Sequence, residues 1–268
     1  MMLRTSSGIA LLLAASLLIA SCSSDGSSES STTRESRETR ETRPSSATSS
    51  VATVDPTETT TTVPTTTTST SKPTGPAPDP TSVAGPIGVI GCSNTDLAVT
   101  GYTDVSSVDK MTTGDLGGGS ESNWGNPSDD RYGVYWGIYD SRRPADGYPA
   151  VWVQVCLRTS EHNGAFDADE QAWTTHIVEQ IHSRDPGIPI WISGINSYAD
   201  GIVCSAAGVD GPAIAAETSD WAAANLGYVF RGPDIGPLQP EHIGVRDDCH
   251  PNSSGRQFLG QQLVAFFD

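Results

Sequence analysis

Lysine is almost missing from the later part of this 268-residue chain: Lys110 is the only one after residue 85. Arginine does not make up the difference. The chain has 15 basic against 32 acidic residues, a formal net charge of −17, and nearly all of the excess falls after residue 85. A surface of that sign repels phosphate backbones and anionic head groups, so nucleic acid and anionic lipid are excluded as partners. A neutral or weakly charged small molecule suits it better. No apolar run is long enough to span a bilayer as a permanent helix. There is no Cys-x-x-Cys pair and no Cys/His spacing suited to zinc, so neither a metal centre nor another cofactor is expected.

What is present first is an export signal over residues 1–21. Arg4 is its only charge, Ile9 to Leu18 is its apolar core, and Ile19-Ala20-Ser21-Cys22 closes it. That ending resembles a bacterial lipobox, which implies cleavage before Cys22 and a lipid on its thiol. The membrane would then be touched only through the anchor, with the rest held outside the cytoplasm. Residues 22–85 are dominated by Ser, Thr and Pro and cannot bury enough apolar surface to offset chain entropy. They read as a disordered tether, including the Arg/Glu rhythm from Arg34 to Arg43 and the Thr run from Thr57 to Thr70.

Residues 86–268 read as one folded domain, expected to act as a monomer. Short buried strands are expected at Ile87–Ile90, Ala150–Leu157, Ile188–Ile192 and Tyr228–Phe230. Helices are expected at Ala168–Arg184, Ala213–Asn225 and Ser253–Phe267. Residues 120–148, rich in Gly, Pro, Asp and aromatics, read as an irregular excursion. In it Trp124, Trp136 and Tyr139 either wall a substrate cleft or pack the loop. Strands alternating with helices imply a parallel sheet covered on both faces, an α/β fold of three layers. Ligands bind such sheets at the carboxyl ends of the strands.

Two stretches carry chemistry. Gly91-Cys92-Ser93-Asn94-Thr95 follows the first strand, and Asp247-Asp248-Cys249-His250-Pro251-Asn252 precedes the last helix. A serine hydroxyl needs a base within hydrogen-bond reach, and that base needs an acceptor to fix its tautomer. Ser93 is the candidate nucleophile, His250 the base and then acid, and Asp247 the orienter, with Asp248 as competing orienter and Cys92 as competing nucleophile. His176, His182 and His242 read as surface or structural residues. No Gly-x-Ser-x-Gly elbow occurs, which argues against the ordinary α/β-hydrolase fold.

Together the two motifs resemble the SGNH (GDSL-type) hydrolase superfamily. Gly91-Cys92-Ser93 stands at its Gly-Asp-Ser block, with Cys in place of Asp, and Asp247-Asp248-Cys249-His250-Pro251 matches its Asp-x-x-His-Pro block. The resemblance implies an SGNH-hydrolase or flavodoxin-like α/β/α fold and a serine esterase working through an acyl-enzyme on Ser93. It also implies an oxyanion hole built from the Ser93 amide, a glycine and an asparagine. Asp115-Leu116-Gly117 resembles the glycine block, pointing to Gly117 or Gly118. The Gly-x-Asn-Asp block is missing after the second strand. Asn163 is the shifted candidate, Arg158 and Thr159 are substitutes, and Asn163-Gly164 also reads as a simple turn.

The aromatic excursion and the surface location favour a short acyl group on a glycan as the substrate. The competing readings are a non-catalytic glycan- or envelope-binding module and an acyltransferase between glycans. Four cysteines remain after Cys22. A Cys204–Cys249 bridge would pin the loop that carries the acid and base, while Cys92 and Cys156 either pair or stay as buried thiols.

Overall fold

The computed structural model describes residues 76–111, 119–245 and 247–268. The expected export signal, Cys22, the tether up to residue 75, Gly117 and Gly118 lie outside the described residues.

Four parallel strands form one sheet in chain order: β1 (Gly88–Ile90), β2 (Val151–Val155), β3 (Ile190–Gly194) and β4 (Val229–Arg231). The central strands are buried on both faces, which is why they read as continuous apolar runs. Trp152 and Trp191 stand in register on β2 and β3 and are fully buried. Beyond β1, Ile87 bridges in parallel to Met111. The chain therefore runs from β1 outward to Met111, returns past β1 to β2, and continues to β4. The helices that follow the strands pack in two groups: α1 (Ser93–Val105) against the last helix, and α4 (Ala168–Arg184) against α5 (Gly211–Asn225). The direction reverses at the carboxyl end of β1, where open α/β sheets bind ligands. The three-layer α/β/α architecture is as expected.

The helices α4 and α6 (Ser253–Phe267) have the bounds the sequence suggests. A capping box starts α4: Asp167 accepts the Asp169 amide at 2.8 Å, and Glu170 accepts the Asp167 amide at 2.8 Å. Three features differ from expectation. Helix α1, with its Thr, Val, Tyr and Gly101, has weak helix propensity, so nothing local announces it. The expected irregular excursion holds α2 (Glu121–Gly125) and α3 (Tyr132–Arg142), because Trp124, Tyr135, Trp136 and Tyr139 form one buried aromatic cluster. The folded part also begins before residue 86: Lys110 Nζ donates to Thr81 O at 2.9 Å, and Val83 packs on the core.

One helix contact positions the site. Helices α1 and α6 cross at backbone contact through two glycines. A Cβ on Gly260 would fall 2.2 Å from the Gly101 carbonyl carbon, and one on Gly101 would fall 1.8 Å from Arg256 O. The far ends are tied as well: Asp268 accepts Tyr102 Oη at 2.7 Å and Ser106 Oγ at 2.6 Å. Ser93 opens α1 and His250 stands just before α6, so this crossing brings the two ends of the domain together.

Gly260→Ala should therefore destabilise the chain by about 1–3 kcal/mol through overpacking against fixed backbone. The check is the midpoint of chemical denaturation, which should fall, with Ala at the open Gly133 leaving it nearly unchanged.

Candidate active site

Ser93 is the first residue of α1, where the leading amides have no partner within the helix. The turn that delivers it is tight. A Cβ on Gly91 would fall 2.1 Å from Thr95 Oγ1, so only glycine fits. Thr95 Oγ1 accepts the Cys92 amide at 2.9 Å and donates to Gln154 Oε1 on β2 at 2.7 Å. The Cys92–Cys156 disulfide then fastens the same turn to the end of β2. Cys92 is thereby removed as a competing nucleophile.

The base is presented by a curled loop. Asp247 Oδ1 accepts the amides of Cys249 at 2.8 Å and His250 at 3.0 Å, folding the backbone round its own side chain. That curl brings Oδ2 within 2.6 Å of His250 Nδ1. A three-residue spacing therefore suffices to join them. Asn252 anchors the entry to α6: its Oδ1 caps the helix by accepting the Gly255 amide at 3.0 Å, and its Nδ2 donates to Glu241 O at 2.7 Å. The Cys204–Cys249 disulfide and a 2.7 Å bond from Tyr198 Oη to Cys249 O hold the loop from the other side. Burial pushes the Tyr198 phenol up to about 12, so it stays a donor.

The two stretches meet. Ser93 Oγ lies 2.7 Å from His250 Nε2. With the ring proton on Nδ1 facing Asp247, Nε2 is left as the acceptor for the Ser93 hydroxyl. Partial burial opposes charge on Asp247, but the Cys249 amide, the His250 ring and the His250 amide outweigh it and hold this carboxyl below its ordinary range. It is the charged form that orients the ring. Asp248 is not the orienter; its carboxylate accepts from Ser205 Oγ at 3.1 Å.

Ser93 and His250 border a cavity of about 390 Å³ at the carboxyl ends of β1, β2 and β3. Gly119, Leu157, Arg158, Ile195 and Ala207 also line it. Most of these were not singled out in the sequence, although Leu157 and Ile195 stand just past β2 and β3, where such sheets bind ligands. Asn163 does not join them. It is exposed, and its Nδ2 donates to Asp167 Oδ2 at 3.2 Å, so it serves the start of α4 and not the oxyanion hole. Arg158 is the lining residue with a cationic head; Asn123 Oδ1 accepts from it at 2.5 Å, and Glu161 Oε2 accepts its amide at 2.9 Å. Trp124, Trp136 and Tyr139 are only 1, 3 and 2 % exposed, so they pack the interior and offer no stacking surface to a sugar.

Behind Ser120, another lining residue, lies a buried acidic group. Burial pushes the Glu121 carboxyl well above its usual range. A hydrogen bond from Thr174 offsets part of this, and the nearby Glu170 and Glu161 charges push it further up.

The Ser, His and Asp side chains thus stand in line at the switch point of a parallel α/β sheet, and a fold of this kind does not by itself fix an activity. No protein-family model and no curated protein matches the chain. Among solved structures, it is similar to a chain from Slackia heliotrinireducens described as "a putative SGNH hydrolase". The two share 15 % identity with a TM-score of 0.41, over 67 % of this chain and 97 % of that one. A likeness of that degree does not establish a family, so the chemistry is read from the side chains themselves.

The clamped base loop and the buried glutamate each have a measurable consequence. Replacing Cys204 and Cys249 together by Ala should cost about 2–4 kcal/mol of stability. It should also slow labelling of Ser93 by a fluorophosphonate about 10- to 100-fold under conditions where the chain stays folded, because the base loop loses its clamp. Denaturant titration and labelling rate check the two effects separately. For Glu121, a raised native pKa means its stability contribution is full below the unfolded value near 4.3 and is lost as pH rises through the native one. Glu121→Gln should therefore stabilise the chain at pH 7, with the gain vanishing near pH 4, as read from melting temperatures at the two pH values.

Proposed function

We propose that this chain is a serine esterase of the SGNH type, acting on carboxylic esters outside the cytoplasm. The observation that carries it is the unbroken line of 2.7 Å from Ser93 Oγ to His250 Nε2 and 2.6 Å from His250 Nδ1 to Asp247 Oδ2, at the edge of a cavity. Ser93 Oγ attacks the ester carbonyl carbon while its proton passes to His250 Nε2. The tetrahedral intermediate collapses with cleavage of the C–O bond to the alcohol, whose oxygen takes the proton from His250. Water then attacks the acyl-enzyme, gives a proton to His250, and the acid leaves as that proton returns to Ser93.

The developing oxyanion needs donors in place before reaction. The Ser93 amide, at the positive end of α1, is one. Arg158 lines the same cavity and is the proposed side-chain donor in place of an asparagine. Residues 1–22 support an exported chain anchored through lipid on Cys22, with the following segment as tether. The expectation of a glycan-borne acetyl group loses one of its two supports with the burial of the three aromatic rings, and keeps the surface location.

Ser93→Ala should abolish both fluorophosphonate labelling and hydrolysis of p-nitrophenyl acetate. Asp247→Asn should lower kcat by about 10³–10⁴-fold, since the ring is left in the wrong tautomer. Arg158→Ala should lower it by about 10²-fold. A wild-type chain that neither labels nor hydrolyses any ester points instead to a binding module on the same fold.

A further inference from the structure

The cavity beside Ser93 is far larger than an acetyl group needs, and its lining divides by chemistry. The polar members are few: Ser93, His250, Arg158, Ser120 and Asn94. The remaining wall is Gly119, Leu157, Ile195, Ala206, Ala207 and the two disulfides, all buried except Ala206. An apolar void of this kind offers ordered water few hydrogen-bond partners, so an apolar guest gains both burial and contacts on entering it.

Resting on the esterase reading above, we infer that this cavity is an acyl-chain pocket and that the preferred substrate carries a medium-length aliphatic acyl group. A close-packed guest at about 30 Å³ per methylene-sized group puts on the order of ten carbon atoms in the cavity's 390 Å³. The direction follows from the site. The alcohol leaves beside His250, whose side chain is 38 % exposed, so that half of the ester faces solvent. The half that stays on Ser93 is the one the cavity encloses. The far end of the chain should be uncharged, because the one cationic lining residue, Arg158, is already assigned to the developing oxyanion and the rest of the wall is apolar. The aromatic rings that would suit a sugar on the acyl side are buried elsewhere in the interior.

The test uses the full-length chain and p-nitrophenyl esters from acetate to palmitate, with Ser93 labelling by a fluorophosphonate measured in parallel. Within each protein the kcat/KM for every ester is taken relative to acetate, so the fraction of folded enzyme cancels. The expected profile rises by up to about fourfold per buried methylene, peaks between hexanoate and decanoate, and falls at palmitate. Ala207→Leu, which fills the pocket, should move the peak to shorter chains, and Leu157→Ala, which enlarges it, should move the peak to longer ones. Acetate esters of hexanol and decanol should show no comparable gain over ethyl acetate. A chain that labels at Ser93 but prefers acetate, or whose peak does not move in opposite directions in the two variants, or whose gain follows the alcohol, overturns the acyl pocket and leaves the esterase intact. A chain that neither labels nor cleaves any ester overturns the esterase reading, and the acyl pocket with it.

Discussion

The crossing of α1 and α6 is the constraint on which the site depends. Ser93 and His250 are separated by 157 residues, yet their side chains meet at 2.7 Å. That is possible because Ser93 opens one, and His250 just precedes the other, of two helices whose backbones touch. Gly101 and Gly260 leave no room between them for even a methyl group. Both helices lie over a sheet whose chain path reverses beside β1, so the nucleophile arrives at the switch point and the base is laid over it from the last connection. Helix ends are good places for such groups. The backbone there is fixed by the helix behind it, while the leading amides remain free to act on a ligand.

Each reacting residue is also preceded by a disulfide cysteine. Cys92 stands before Ser93 and Cys249 before His250, and the bridges run to the end of β2 and to the loop at Cys204. The covalent clamps therefore act on the two turns whose relative position decides catalysis. They do a second thing at no extra cost in polarity. All four half-cystines line or border the cavity as buried apolar surface, so the elements that hold the catalytic groups rigid also make the neighbouring wall greasy. A polar clamp such as an ion pair would have held the turns with less certainty and filled the pocket with charge.

Much of this could be read from the residues. The Asp247–His250 spacing was informative because an aspartate can accept two amides just ahead of it and so curl its own loop. The bounds of α4 and α6 were legible because both are amphipathic and properly capped. Helix α1 was not legible, since its residues are weak helix formers and it is held by contact with α6, which no local pattern records. The aromatic segment misled for a related reason. Gly and Asp suggested irregularity, but Trp124, Trp136 and Tyr139 gain more by packing edge to face in the interior than the propensities lose. Asn163 failed because an asparagine just ahead of a helix is at least as useful to the N-cap as to a ligand. The acyl cavity had no sequence signature at all. Leu157, Ile195 and Ala207 are ordinary apolar residues, and only the meeting of three strand ends makes them one wall.

The electrostatics of the site raise a problem that its neighbours resolve. The proposed ester hydrolysis would build negative charge on the substrate oxygen, and this chain carries a net charge of −17. Two glutamates lie beside the cavity-lining Ser120: Glu121, the next residue, and Glu161, which accepts from its hydroxyl. If both were charged and unpaired, their field would oppose the intermediate. They are not equivalent. Glu161 accepts from Ser120, Ser122 and the Arg158 amide, and its carboxylate lies 3.8 Å from the Arg158 guanidinium. Glu121 is fully buried, and burial favours its neutral form. One carboxylate is thus tied to the cation of the site and the other is disposed to hold its proton. The result is an acidic protein whose reaction centre is shielded from its own charge. It also gives Arg158 a reason to stand where an uncharged amide would have sufficed in a less acidic protein: an amide could donate a hydrogen bond, but only a cation also compensates the surrounding field.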